Sequence, residues 1–257
     1  MGGTIITKLR YLLVIFLGIY SNFNIQIKIK GGSKMVKPRI IETNEGIQNE
    51  STVKDYDSFL RQMRDKGWMV TNTLISSGIN QGNALEVGPG PGYLGLEWLS
   101  KTEKTRLTGI EISQNMIDLA TKNALRYGLR DRVSYRLGNA DKVPFPDQSF
   151  DAVFSNGSLH EWEDPKKIFN EIHRVLKPGG KVLISDLRRN LSLPVKCLFY
   201  LGSKPTSMRK GLTSSLRASY LKDEIEKVLK ESVLNYARIK TNPFGLTILG
   251  TKPQSSF

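Results

Sequence analysis

A short apolar stretch, Ala84-Leu85-Glu86-Val87, runs directly into Gly88-Pro89-Gly90-Pro91-Gly92, and no other feature of the chain limits its fold as tightly. Glycines this dense after a strand let the backbone turn sharply and approach a ligand without side chains in the way. In an open parallel sheet the ligand lies beyond the carboxyl ends of the strands, where this run falls. Two readings stay open at this point. Gly90-Pro91-Gly92-Tyr93-Leu94-Gly95 also satisfies the G-x-G-x-x-G fingerprint of dinucleotide-binding proteins.

Around that loop, short apolar runs alternate with amphipathic stretches. Strands are expected at 82–87, 106–112, 133–137, 150–155 and 181–186, and helices at 92–101, 115–127 and 165–176. Upstream, a helical pattern over 54–77 breaks at Gly67 into two short helices. Gly128 is a natural cap for the helix before it, and Lys177-Pro178-Gly179-Gly180 ends the next one. Strands separated by helices imply βαβ units and a largely parallel sheet, hence an α/β fold. Residues 187–218 interrupt the rhythm as an insertion. A helix near 219–231 and strands near 235–240 and 245–251 resume it. The expected plan is a helical cover over 35–79 and a main domain over 80–257.

The net charge of +14 is concentrated in two places. Residues 1–40 carry seven Lys and Arg with no acid, and residues 187–221 carry another seven with no acid. Such segments attract anionic lipid, nucleic acid or acidic ligands, or are simply solvated surface. Cys197 is the single cysteine, so no disulfide framework is possible. With only His160 and His173 as histidines, a zinc or iron site would lack ligands, and no metal is expected. The apolar run 11–20 follows Lys8 and Arg10 and is too short to span a bilayer. Lys30-Gly31-Gly32 ahead of Met35 can be encoded as a ribosome-binding sequence. Residues 1–34 are therefore expected to be an upstream extension with translation starting at Met35. A membrane anchor, an uncleaved signal or a soluble tail are the alternatives. The expected location is cytoplasmic, with membrane association if residues 1–34 belong to the protein.

Further motifs follow in order. Glu111 closes the second strand, where a carboxylate can accept both hydroxyls of a ribose, as it would in a dinucleotide enzyme too. Asn139-Ala140-Asp141 follows the third strand and places a short acid where it can accept from an adenine amine. Pro144-Phe145-Pro146-Asp147-Gln148-Ser149-Phe150-Asp151 leads into the fourth, and Arg174-Val175-Leu176-Lys177-Pro178-Gly179-Gly180 comes later. This succession resembles class I methyltransferases, and within them the group that includes ubiquinone/menaquinone and other small-molecule methyltransferases. The resemblance covers about residues 80–187. It implies a Rossmann-like, doubly wound seven-stranded sheet, mostly parallel with the last strand antiparallel, and helices on both faces. It also implies S-adenosylmethionine as the methyl donor. By matched position Glu86, Gly88, Gly90 and Gly92 would surround the methionine moiety. Glu111 would hold the ribose with Ile112 and Met116 nearby, Ala140 and Asp141 would meet adenine, and Asn156 would lie beneath the sulfonium.

Methyl transfer from a sulfonium is an in-line displacement that depends on alignment and on exclusion of water. A general base is needed only where the acceptor must lose a proton. His160, in Ser155-Asn156-Gly157-Ser158-Leu159-His160, is the candidate; a purely structural hydrogen bond is the alternative. Asp186, ending the fifth strand, is the second candidate, and Tyr56 a third. The expected acceptor is a small molecule, with an anionic or lipid-like one suggested by the mixed apolar and cationic insertion, which also suits peripheral membrane contact through 187–218. Ser155-Asn156-Gly157-Ser158 departs from the N-P-P-Y of many enzymes that methylate amino groups of bases or of glutamine, which speaks against a nucleic-acid partner. An RNA or protein methyltransferase and a non-catalytic nucleotide-binding module are the alternative functions.

Overall fold

The structure, a computed structural model, describes residues 37–42 and 46–254. The expected extension over 1–34 lies outside the described residues. In chain order the elements are α1 (Glu50–Asp65), α2 (Thr71–Ser76), β1 (Gly82–Val87), α3 (Tyr93–Ser100), β2 (Thr105–Glu111), α4 (Gln114–Arg126), β3 (Val133–Leu137) and β4 (Phe150–Asn156). They continue as α5 (Pro165–Val175), β5 (Leu176–Asp186), α6 (Leu193–Gly202), α7 (Met208–Ala218), α8 (Lys222–Lys230), β6 (Arg238–Asn242) and β7 (Gly245–Thr251).

The seven strands form one sheet in the order β3-β2-β1-β4-β5-β7-β6. The first five pair in parallel, and β7 runs antiparallel to both β5 and β6. Strand order reverses direction between β1 and β4, so their carboxyl ends open the crevice where such sheets bind ligands. β1 belongs there because Ala84 to Val87 is buried, as a strand covered on both faces requires. Helices lie against both faces. On one, Trp98 and Leu99 of α3 pack with Leu74 of α2, Ile79 and Phe154. On the other, Phe169 and Ile172 of α5 pack with Ile225 and Leu229 of α8.

Local signals set the helix ends. Asn49 accepts from the backbone of Ser51 (3.0 Å) and Thr52 (3.3 Å), so α1 starts four residues before the expected Lys54. Asp164 caps α5 by accepting from Lys167 N–H, with Pro165 in the first turn. Gly128 takes a φ of 66° directly after α4. One expectation needs correcting. Lys177-Pro178-Gly179-Gly180 does follow a helix, but these residues sit inside β5, which pairs with β4 on either side of a register shift. Gly179 N–H and Gly180 C=O bond to the backbone of Lys252 beyond β7, so the turn residues are absorbed into the sheet as an irregularity.

In 187–218 the chain forms the hairpin α6–α7. It is held to α1 by Gln62 Nε2, which donates to Lys204 C=O (3.1 Å), and by the Ser207 hydroxyl, which donates to Asp55.

Candidate active site

Four strands deliver the site from their carboxyl ends. β1 supplies Glu86 and the glycine loop, β2 supplies Glu111, β4 leads through Asn156 to His160, and β5 ends on Asp186. The loop has positive φ at Gly88 (67°), Gly90 (53°) and Gly92 (82°). A Cβ at Gly88 would lie 2.9 Å from Ser158 Cβ, and one at Gly92 would lie 2.5 Å from the Tyr135 hydroxyl. The turn is therefore closed to larger residues by space as well as by conformation.

Glu111 binds this loop to the β2–α4 turn. One carboxylate oxygen accepts from Gly90 N–H (3.0 Å), and the other accepts from Ile112 N–H (3.0 Å) and Ser113 N–H (3.1 Å). Burial pushes its pKa up, and those three backbone donors pull it back. Glu86 is 2% exposed and has less such support, a backbone hydrogen bond from Gly95; its Oε2 has no partner among the described residues. Burial, followed by repulsion from Glu111, pushes its carboxyl up to about 8. The Tyr135 hydroxyl is likewise buried and unpartnered beside Gly92. A cradle of glycines bordered by an orphaned carboxylate oxygen and an orphaned hydroxyl is polarity built for a ligand with donors of its own. S-adenosylmethionine, with an ammonium at one end and ribose hydroxyls in the middle, meets that requirement.

The remaining residues expected around the donor are placed unequally. Met116 is buried in the first turn of α4, and Ile112 is half-buried, with Gln48 Nε2 donating to its carbonyl (3.4 Å). Ala140 is buried, whereas Asp141 is exposed on a turn formed by its own N–H and Asn139 Oδ1 (3.1 Å). Asn156 ends β4 half-buried.

His160 and Asp186 are brought together. Asp186 accepts from the His160 backbone N–H (2.7 Å), and His160 Nδ1 lies 3.0 Å from both of its carboxylate oxygens. The other ring nitrogen, Nε2, is 3.5 Å from Glu42. His160 is 5% exposed, which by itself disfavours its charge, yet Asp186, Glu161 and Glu42 outweigh burial and hold its pKa at about 9. Glu161 is pushed up to about 7 by burial. One ligand atom from each of Glu42, His160 and Glu161 lies within 4.8 Å of the others, a grouping that the count of histidines did not anticipate. A cation there would have to displace the His160–Glu42 ion pair.

Two residues that sequence reasoning passed over hold this pocket. Arg39 donates through Nε to Ala218 C=O (2.6 Å) and through its terminal nitrogen to His160 C=O (2.9 Å), while stacking 4.0 Å over the Tyr220 ring. That clamp carries Glu42 to His160. Neither Arg39 nor Glu42 lies in a periodic segment, so no pattern marked them, whereas Glu161 adjoins His160 in sequence and could have been named. Tyr56, on α1, packs over Gly90, whose Cβ would lie 3.3 Å from the ring. Burial and the nearby charges of Glu161, Glu111 and Asp186 keep its hydroxyl protonated. α1 is fixed in this position by Asp57, which accepts from the Tyr93 hydroxyl at 2.8 Å and pairs with Arg61.

A sheet in this strand order, with a glycine cradle after β1 and an acid closing β2, defines the class I methyltransferase architecture. Residues 85–184 match a family model described as a methyltransferase domain. That segment is a class I S-adenosylmethionine-dependent methyltransferase domain, and S-adenosylmethionine is the cofactor its cradle fits. The ubiquinone/menaquinone biosynthesis C-methyltransferase UbiE of Geotalea daltonii is 26% identical over 195 residues, covering 73% of this chain and 83% of that protein. Methyltransferase GfsG of Streptomyces halstedii is 34% identical over 103 residues, covering 40% of this chain and 37% of that protein. The chain thus spans little more than a third of that relative's length. Among solved structures, a Methanococcus maripaludis protein proposed to be an S-adenosyl-L-methionine-dependent methyltransferase is 24% identical with a TM-score of 0.67, over 84% of this chain and 99% of that one. That likeness is one of fold.

Proposed function

We propose that the chain transfers a methyl group from S-adenosylmethionine to a small-molecule acceptor, with His160, oriented by Asp186, accepting the proton the acceptor loses. The observation that carries the reading is the junction at Gly90. There the glycine loop, Glu111 and Tyr56 meet at the carboxyl end of β1, and the His160–Asp186 pair lies one strand away on the same edge of the sheet. S-adenosylmethionine supplies an activated methyl carbon. The chain's own residues bind it along the cradle, and α1 shuts water out above it. With Nδ1 committed to Asp186, they leave His160 Nε2 as the atom that accepts the proton, once the imidazolium has lost its own proton and the acceptor has taken the place of Glu42, 3.5 Å away.

The acceptor group is neutral or basic. The charged side chains that surround His160 are the acids Glu42, Glu161 and Asp186. Nearby cations serve the fold instead. Arg39 holds carbonyls and Arg189 pairs with Glu224, while Arg188 donates to Asn242 C=O (2.9 Å) and leaves its Nε without a partner among the described residues. UbiE, an erythromycin 3''-O-methyltransferase and GfsG are named as methyltransferases, the first two with small-molecule products in their names, which agrees with an acceptor of that size.

Titration calorimetry tests the donor site. Wild-type protein should bind S-adenosylmethionine at micromolar strength, and Glu111→Ala should weaken it by about a hundredfold, the loss of charge-assisted bonds to two ribose hydroxyls. Glu111→Gln keeps an acceptor for Gly90 N–H and separates ribose recognition from loop collapse. Folded wild-type protein that binds no donor would remove the reading.

A further inference from the structure

The outward face of α6 runs against what water selects. Its exposed positions are Leu193, Pro194, Cys197, Tyr200 and Leu201, spaced i, i+1, i+4, i+7 and i+8, so they form one continuous helical face with no charged residue. Leu193 is 73% exposed and Leu201 is 65% exposed. The inner positions Val195, Leu198 and Phe199 are only half-buried, and Phe199 stacks 6.0 Å from Phe244 at the β6–β7 turn. A surface helix of a globular protein ordinarily buries its apolar stripe and turns charge outward. Here both sides are apolar, and the more exposed side faces solvent.

The charge beside this face is cationic. Residues 187–218 contain seven Lys and Arg and no acid. Lys204 and Lys210 are exposed, and neither, nor Lys196, makes an ion pair among the described residues. Arg209 lies 4.7 Å from the Tyr200 ring and donates to Tyr200 C=O (3.0 Å), which sets a guanidinium at the edge of the apolar face. On α7 the exposed positions include Lys210, Thr213, Ser214 and Arg217, a polar and cationic surface beside the apolar one. No described helix is long and apolar enough to cross a membrane.

We propose that the α6–α7 hairpin is a docking surface for an anionic phospholipid bilayer. Leu193, Cys197, Tyr200 and Leu201 enter the headgroup boundary, and Lys196, Lys204, Arg209 and Lys210 meet lipid phosphates, as an interfacial amphipathic element does. A second copy of the chain is the poorer occupant, since two hairpins that each carry cations and no acid repel one another. The surface stands apart from the methyl-transfer reading, because its readout is partition rather than turnover.

The test is co-sedimentation of the full chain with vesicles of phosphatidylcholine alone and of phosphatidylcholine mixed with phosphatidylglycerol. Wild-type protein should partition onto the mixed vesicles and be released by salt. Lys204→Ser with Lys210→Ser should weaken that binding by about thirtyfold, the worth of two surface cations. Leu193→Ser with Leu201→Ser should weaken it by about tenfold or more. Both variants alter exposed side chains only, so unchanged circular dichroism and unchanged S-adenosylmethionine binding identify them as folded. Binding retained by both variants at wild-type strength would assign the contact to another segment, residues 11–20 included, and overturn the proposal. So would equal binding to both vesicle types. A dimer in gel filtration that Leu193→Ser with Leu201→Ser dissolves, without vesicle binding by the wild type, would give the face to a second copy and overturn it as well.

Discussion

His160 is charged at neutral pH in the ligand-free protein, since Asp186, Glu161 and Glu42 lift its pKa to about 9. If it accepts the acceptor's proton, kcat/KM rises about tenfold per pH unit through neutrality and levels off near pH 9. Asp186→Asn, which removes the largest of the charges holding that proton, should move the inflection downward. A flat profile with wild-type rates in His160→Ala would leave the residue a structural role only. The same group has a stability signature of definite sign. Its folded pKa lies above the ordinary 6.5, so its stabilisation is fully present below pH 6.5 and is lost as pH rises through 9. That loss is on the order of 3 kcal/mol, and it should vanish from the pH dependence of denaturant unfolding in His160→Ala. Sequence placed His160 and Asp186 at neighbouring strand ends but could not pair them. Their contact is set by how far the 156–160 turn reaches across β5.

At the scale of elements, the β1–α3 turn is where backbone and packing act together. Gly92→Ala forces a residue with a side chain to a φ of 82° and drives its Cβ against the buried Tyr135 hydroxyl. It should cost about 2 kcal/mol or more in chemical denaturation and weaken S-adenosylmethionine binding with it. Gly128→Ala is the control. Its φ is also positive, at 66°, but nothing lies within 4 Å of the added Cβ, so about 1 kcal/mol of backbone strain is the whole expected effect. Equal losses in the two variants would show that Tyr135 gives way. The turn itself was readable from sequence because glycine spacing is a local property. Tyr135 was not, since it reaches Gly92 from a strand two places along the sheet.

For the whole molecule, the proposed donor site joins the centre of the sheet to α1, while the α6–α7 hairpin, tied to α1 through Gln62 and Ser207, turns the apolar face of α6 away from it. Hydrogen exchange should show β1, β4 and β5 opening only with global unfolding, and α6 opening locally at far lower cost. S-adenosylmethionine at a hundred times its Kd should raise protection of the central strands by about 2.7 kcal/mol. Protection of α6 should not change, and an equal gain there would mean that the hairpin folds onto the donor. The sequence by itself determined the alternation of strands and helices, the glycine cradle and the acid after β2, because burial period, capping and turn chemistry are written within a few residues of where they act. Only the tertiary structure decided that Arg39 carries Glu42 to His160, that one carboxylate oxygen of Glu86 is left without a partner among the described residues, and that α6 turns its apolar face outward. Each of those depends on which distant surfaces meet, and no local pattern encodes that.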